Sequence, residues 1–163
     1  VMGIDRNFPI AFRKSQQAAY GGLPQGGTVF VSVADRDKRS IVLPVQRLSQ
    51  LGFRVLATEG TADILDRNGI PVEIVAKHSQ VDGDVRSIVD MIRAGEVDFI
   101  INTPSGRSAR ADGMEIRREA VAADKALVTT IAQVSAAVAS LEIDSEALRV
   151  TSLQEYATER ASW

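Results

Sequence analysis

Four polar clusters each follow an apolar, β-branched run: Ser32 leading into Ala34-Asp-Arg-Asp-Lys38, Thr58-Glu-Gly-Thr61, Lys77, and Asn102-Thr103-Pro-Ser-Gly-Arg107. Hydroxyls, a carboxamide and two lysines form the donor set that an anion needs. Gly60, between Thr58 and Thr61, lets backbone N–H groups approach such an anion at the start of a helix. Taken singly the features are ordinary, since a Thr-x-Gly-Thr turn commonly only caps a helix and a lone lysine is commonly solvated. Their recurrence after consecutive strands points to a small phosphorylated ligand and does not separate substrate from effector. Neither a GxxxxGK[ST] loop nor a GxGxxG loop is present.

The case for catalysis is thinner. Asp35, Asp37, Asp82, Asp84 and Asp112 lie in or beside these loops and can serve as bases, although loop carboxylates mostly cap turns or keep a surface soluble. Arg117 and Arg118 read as surface charge on a helix. With one histidine, His78, and no cysteine, the chain offers no thiolate zinc site, no HExxH motif and no cysteine nucleophile. No metal site is expected.

The elements that must position these residues alternate. Strands are expected at Thr28 to Val33, Phe53 to Thr58, Val72 to Val75, Val97 to Asn102 and Ala126 to Thr130, all rich in β-branched or aromatic residues. Helices are expected from Ser40, with Pro44 in the first turn and Gly52 as the stop, and at Ala62 to Asn68 before Gly69. Val85, Ile88, Val89 and Ile92 at i, i+3, i+4 and i+7 mark a helix from Asp84 to Ala94. Further helices are marked by Ile116, Ala120 and Ala123, and by Ile131, Val134, Val138 and Leu141. Parallel neighbours need right-handed crossovers, so the pattern predicts an α/β, doubly wound, Rossmann-like sheet of five parallel strands with helices on both faces. Ligands of such sheets bind beyond the strand carboxyl ends.

At the edges, a short helix is expected through Ala11 to Ala19, and Gly21 to Gly27 read as a boundary. The tail offers a strand at Leu148 to Val150 and a capping box at Ser152 to Glu155. A net charge of -2 does not suit a general nucleic-acid binder. No apolar run reaches the ~20 residues of a membrane span, so neither nucleic acid nor membrane is an expected partner, and a cytoplasmic setting is. The chain opens on Val1 and reads as part of a longer protein.

The segments SVADRDK (Ser32 to Lys38), LGFRVLATEGTADILDRNGI (Leu51 to Ile70), FIINTPSGR (Phe99 to Arg107) and EIRREAV with Thr129 and Thr130 resemble the methylglyoxal-synthase-like domain family. Within it they are most similar to the C-terminal regulatory domains of carbamoyl phosphate synthetase large subunits. The opening VMGIDRNFPIAFRKSQ is similar to the end of the preceding synthetase domain. The resemblance therefore divides the chain into residues 1–27, domain end and linker, and residues 28–163, the allosteric domain.

What the resemblance implies is a non-catalytic module that binds UMP as inhibitor or IMP as activator. The parent would be an ATP-dependent ligase using Mg or Mn, making carbamoyl phosphate from glutamine and bicarbonate for pyrimidine and arginine synthesis. Its partners would be a glutaminase small subunit and other large subunits. Matching the family pocket residue by residue places Ser32, Lys38, Thr58, Gly60, Thr61, Lys77, Asn102 and Thr103 at the phosphate and ribose, and Asp112 at the nucleoside. Glu59 stands in place of the relatives' histidine, Pro104 of threonine and Leu127 of the tyrosine used for ornithine. The loop from His78 to Asp84 is longer than in close relatives. The alternatives are a stand-alone methylglyoxal synthase acting on dihydroxyacetone phosphate, with Asp35 or Asp84 as base, or an oligomerisation module. The synthase alternative lacks the family's catalytic histidine after the fourth strand.

Overall fold

The computed structural model describes residues 1–76, 86–104, 110–143 and 148–160. Five parallel strands form one sheet: β1 (Gly27–Ser32), β2 (Phe53–Ala57), β3 (Glu73–Ile74), β4 (Phe99–Asn102) and β5 (Ala126–Val128), in the order β3-β2-β1-β4-β5. The helices are α1 (Phe8–Tyr20), α2 (Lys38–Gln50), α3 (Glu59–Asp66), α4 (Ile88–Arg93), α5 (Arg110–Ala122), α6 (Ile131–Leu141) and α7 (Leu153–Arg160). A single 3-10 turn, Asp35–Asp37, joins β1 to α2.

Strand alternation sorts the core into two layers. Val29, Val31, Val55, Ala57, Phe99 and Ile101 face one side and are covered by α2, α3 and α6 through Ile41, Leu48, Leu65 and Val138. Phe30, Leu56 and Ile100 face the other, covered by α4 and α5 through Ile88, Ile92, Ile116 and Ala120. The chain runs outward from β1 through β2 to β3, then returns across the sheet to β4 on the other side of β1. With right-handed crossovers, that reversal moves the connecting helices to the opposite face. It also leaves a crevice where the connections after β1 and β4 diverge. The expected fold class is therefore the observed one.

Four boundaries differ from expectation for local reasons. Helix α2 starts at Lys38, so Pro44 lies inside it, buried, where it removes one helix hydrogen bond. Helix α3 begins at Glu59, so Gly60 and Thr61 belong to its first turn. Helix α4 begins only after Ser87, whose side chain accepts from the Asp90 N–H at 3.2 Å while the Asp90 carboxylate accepts from the Ser87 N–H at 3.0 Å; Val85 lies outside the described residues. No strand forms at 148–150, where Val150 is fully exposed and has no sheet edge beside it. The expected capping box does form, with Glu155 N–H donating to Ser152 Oγ at 3.2 Å and Ser152 N–H to Glu155 Oε2 at 2.7 Å.

The segment before β1 packs against the rest of the fold. Helix α1 lies on α6, and Leu23 is part of the core. Arg13 is buried and donates to the carbonyls of Ser140 (3.4 Å) and Ile143 (2.7 Å), at the end of α6, and to Gln25 Oε1 at 3.1 Å. A cation at a helix carboxyl end is favoured by the helix dipole. Gly21 ends α1 with φ 71°, and Gly27 opens β1 with φ 99°. At Gly27 a Cβ would also collide with the Asp98 carboxylate that receives the Thr28 N–H at 2.8 Å.

Candidate anion-binding site

The carboxyl ends of β1, β2 and β4 bring Ser32, Thr58, Thr61, Asn102 and Thr103 together, all buried. Asn102 is paired with Ser32 in the last rung between β4 and β1. Thr58 Oγ1 lies 3.3 Å from Ser32 Oγ and 3.4 Å from Thr61 Oγ1, and the Val33 N–H reaches Thr61 Oγ1 at 3.4 Å. Hydroxyl pairs usually sit near ~2.8 Å, so these three side chains satisfy one another only weakly. Their hydroxyls keep capacity for stronger bonds to another acceptor.

Helix α3 adds backbone donors. Its N-cap, Thr58, uses its hydroxyl toward Ser32 and Thr61, and makes no side-chain cap. The first N–H groups of a helix have no carbonyl within the helix, and the dipole there favours negative charge. Gly60 leaves room for Lys38: a Cβ at Gly60 would stand 3.2 Å from Lys38 Nζ. The ammonium also touches Asp35 Oδ1 at 2.8 Å, and that hydrogen bond, with the attraction between the charges, holds the Asp35 carboxyl below its ordinary value. Asp35 is thus a carboxylate already sitting on the site's cation. Glu59 is exposed, away from the buried hydroxyls.

The β4 side is built differently. Thr103 Oγ1 accepts from the Ala34 N–H at 2.9 Å, which fixes the loop after β1 and leaves the Thr103 hydroxyl proton to donate elsewhere. Asn102 Nδ2 lies 3.5 Å from the Ser32 carbonyl, and Arg117 Nη1 donates to Asn102 Oδ1 at 2.5 Å. Arg117 is therefore part of the site, which corrects its reading as surface charge; Arg118, exposed and near Glu115 and Glu119, keeps that reading. Gly113 on α5 faces the same pair: a Cβ there would lie 3.0 Å from Arg117 Nη1 and 3.4 Å from Asn102 Oδ1. Asp112 stands in the first turn of α5, one residue earlier. Lys77, His78, Asp82, Asp84 and Arg107 lie outside the described residues.

Arg117 was missed because α5 is weakly patterned, with Met114 and Val121 exposed. The usable signal was Gly113 inside a helix four residues before an arginine. Among the described residues, no group of histidine, cysteine or acidic side chains could hold a metal ion, and no helix is long and apolar enough to cross a membrane. A separate apolar cleft of about 400 Å³, lined by Met2, Ile4, Leu148, Val150 and Tyr156 among others, shares no residue with this constellation.

Residues 40–129, more than half of the chain, match the model of the MGS-like domain family. The chain belongs to the MGS-like domain family. This MGS-like domain is 68% identical over 162 residues to the carbamoyl phosphate synthase large chain of Clavibacter michiganensis subsp. michiganensis, covering 98% of this chain and 15% of that protein. It is 59% identical over 160 residues to the large chain of Mycobacterium tuberculosis, covering 95% of this chain and 14% of that protein. The MGS-like domain thus spans about one seventh of the length of these relatives. Among solved structures it is similar to methylglyoxal synthase from Elizabethkingia anophelis, with a TM-score of 0.53 and 17% identity over 71% of this chain and 79% of that one. That likeness extends to the fold.

Proposed function

We propose that this MGS-like domain is the effector-binding regulatory module of a carbamoyl phosphate synthase large chain, with a nucleoside monophosphate such as UMP or IMP as its ligand. The observation that carries the reading is the meeting of Ser32, Thr58 and Thr61 with Lys38 at the amino end of α3, a donor set shaped for a phosphate. Kinship with synthase large chains supplies the setting. The phosphate is received by Thr58, Thr61, the first α3 amides and Lys38, joined by Lys77 on the strength of the family resemblance. Asn102 and Thr103 serve the ribose, and Asp112 the nucleoside.

The module works by linkage. A ligand that prefers one state of the large chain shifts its activity by the difference in affinity, typically ~1 to 3 kcal/mol. The parent enzyme on this reading is a cytoplasmic ligase using ATP with Mg or Mn, fed by a glutaminase small subunit and assembled with other large chains. No chemistry is assigned to the domain itself. Of the two bases a synthase alternative offers, Asp35 is paired with Lys38, and Asp84 lies outside the described residues.

Calorimetric titration with UMP, IMP, inorganic phosphate and dihydroxyacetone phosphate tests the reading. The expected result is saturable binding of a nucleotide, weakened about tenfold or more in Lys38→Ala, in line with loss of a charge-assisted contact. No binding of either nucleotide, or turnover of dihydroxyacetone phosphate, would sink it.

A further inference from the structure

We propose that Arg117 is a positioning residue which, seated over Gly113, fixes the Asn102 carboxamide with its nitrogen toward the crevice, so that the amide N–H donates to a ribose hydroxyl oxygen of the ligand there. The proposal rests on the effector-binding reading and names what that site selects.

The chain of reasoning begins with the chemistry of the two side chains. An asparagine carboxamide carries a donor end and an acceptor end of nearly equal shape, and nothing intrinsic decides which end faces a ligand. A guanidinium only donates and never loses its proton in a protein. With Arg117 Nη1 at 2.5 Å, the facing atom of Asn102 must be the oxygen. The nitrogen then points toward β1, where the Ser32 carbonyl stands at 3.5 Å. That distance is at the limit of a hydrogen bond. The same carbonyl already accepts the Thr103 N–H at 3.1 Å. The Asn102 nitrogen is therefore held in direction but weakly committed, and its protons remain for a ligand acceptor.

Gly113 is the independent observation. Glycine is unfavourable inside a helix, yet it occupies α5 four residues before Arg117, on the same helix face. A methyl group there would stand 3.0 Å from the guanidinium nitrogen, tighter than ordinary contact, and 3.4 Å from the Asn102 oxygen. The missing side chain is what lets the guanidinium lie between α5 and the end of β4. Lys38 over Gly60 repeats the device on the other side of β1. Each flank of the crevice thus carries a cation placed over a glycine, one aimed at the hydroxyl cluster and the other holding the amide.

The test uses the wild-type chain, Arg117→Ala, Arg117→Lys and Gly113→Ala, each titrated with UMP and IMP and with the dideoxy analogues lacking both ribose hydroxyls. The side-chain amide signals of Asn102, identified by their loss in Asn102→Asp, are followed in proton–nitrogen correlation spectra without ligand. Arg117→Ala and Gly113→Ala are expected to move those signals and to reduce the preference for the ribose form by about fivefold or more, as loss of one hydrogen bond implies. Arg117→Lys, which keeps a donor, is expected to restore part of both. An unmoved amide signal in Arg117→Ala overturns the proposal, and so does an unchanged preference. If the wild-type chain binds neither nucleotide, the effector reading fails, while the amide signals still decide whether Arg117 orients Asn102.

Discussion

Ser32 and Asn102 face each other in the final rung of the β1–β4 ladder, directly after three rungs of Val29 with Phe99, Phe30 with Ile100 and Val31 with Ile101. The ladder changes from wholly apolar to wholly polar in one step. That step marks where the sheet stops being core and becomes crevice, and it occurs at the reversal of strand order. Both side chains are buried there and are satisfied mainly by other members of the site.

Thr103 serves the architecture as well as the proposed ligand. Thr103→Val keeps the shape but leaves the Ala34 N–H, bonded at 2.9 Å, without its acceptor in a buried position. The expected loss of stability is ~1 to 3 kcal/mol, read from urea unfolding. Thr103→Ser should recover most of it, and equal stability of the valine and serine variants would show that the hydroxyl does not hold this loop.

Asp35 competes with any incoming anion for Lys38. Replacing it in Asp35→Asn frees the ammonium, and affinity for inorganic phosphate or a nucleotide should rise roughly twofold to fivefold, the range of an exposed ion pair. Titration at low and high salt checks this, because the gain must shrink as screening increases. Weaker binding in Asp35→Asn would mean that the carboxylate aims Lys38 rather than occupying it.

Arg13→Ala removes a guanidinium from a buried position and leaves the Ile143 and Ser140 carbonyls short of a donor. A cost of about 2 to 4 kcal/mol is expected. Arg13→Lys reaches fewer of the three acceptors and should fall between. Chemical denaturation followed by circular dichroism measures both, and a loss below about 0.5 kcal/mol, the range of ordinary surface changes, would demote the contact.

Acid should weaken the fold in a defined window. Asp35 is held low by its hydrogen bond from Lys38, Glu73 by Arg54, Glu119 by Arg93 and Glu155 by the Ser152 N–H. Folded values below unfolded ones give stabilisation that is complete above the unfolded carboxylate range of ~4 to 4.5. It is lost as pH falls through the depressed folded values. Asp35, Glu73 and Glu155 are exposed and Glu119 is partly buried, and surface ion pairs contribute little, so each share is small. Urea midpoints should hold from neutral pH to about 5 and then decline, with a shallower decline in Glu155→Gln, where one such carboxylate is absent. A midpoint that rises on acidification would contradict these assignments.

The sheet and the polar ends of its strands were legible because both follow from strong local signals. Runs such as TVFVSV and VDFIIN cannot be placed except as buried strands, and Ser32, Thr58 and Asn102 close those runs. The alternation of strand and helix then supplied the parallel, doubly wound class, while the strand order emerges only in the structure. What escaped depends on tertiary neighbours. Arg117 and Arg118 are indistinguishable along the chain, yet one turns to Asn102 and the other to solvent, since only a packed α5 defines which face is inward. Val150 sits in a pattern suited to a strand but has no partner to pair with. Pro44 sits inside α2 and is buried because the helix begins earlier than its apolar spacing indicates, at Lys38. The role of Arg13 had no signal in α1 itself, as two of its three acceptors lie more than a hundred residues away.

Those distant acceptors give α1 a mechanical meaning. A pull on the amino-terminal helix would ordinarily be absorbed by the flexible glycines between Gly21 and Gly27. The bonds from Arg13 to Ser140 and Ile143 bypass that slack and deliver the load to the carboxyl end of α6, a helix packed on the same core layer as β5 and α2. Displacement of α1 therefore reaches the sheet through α6 as well as along the chain into β1.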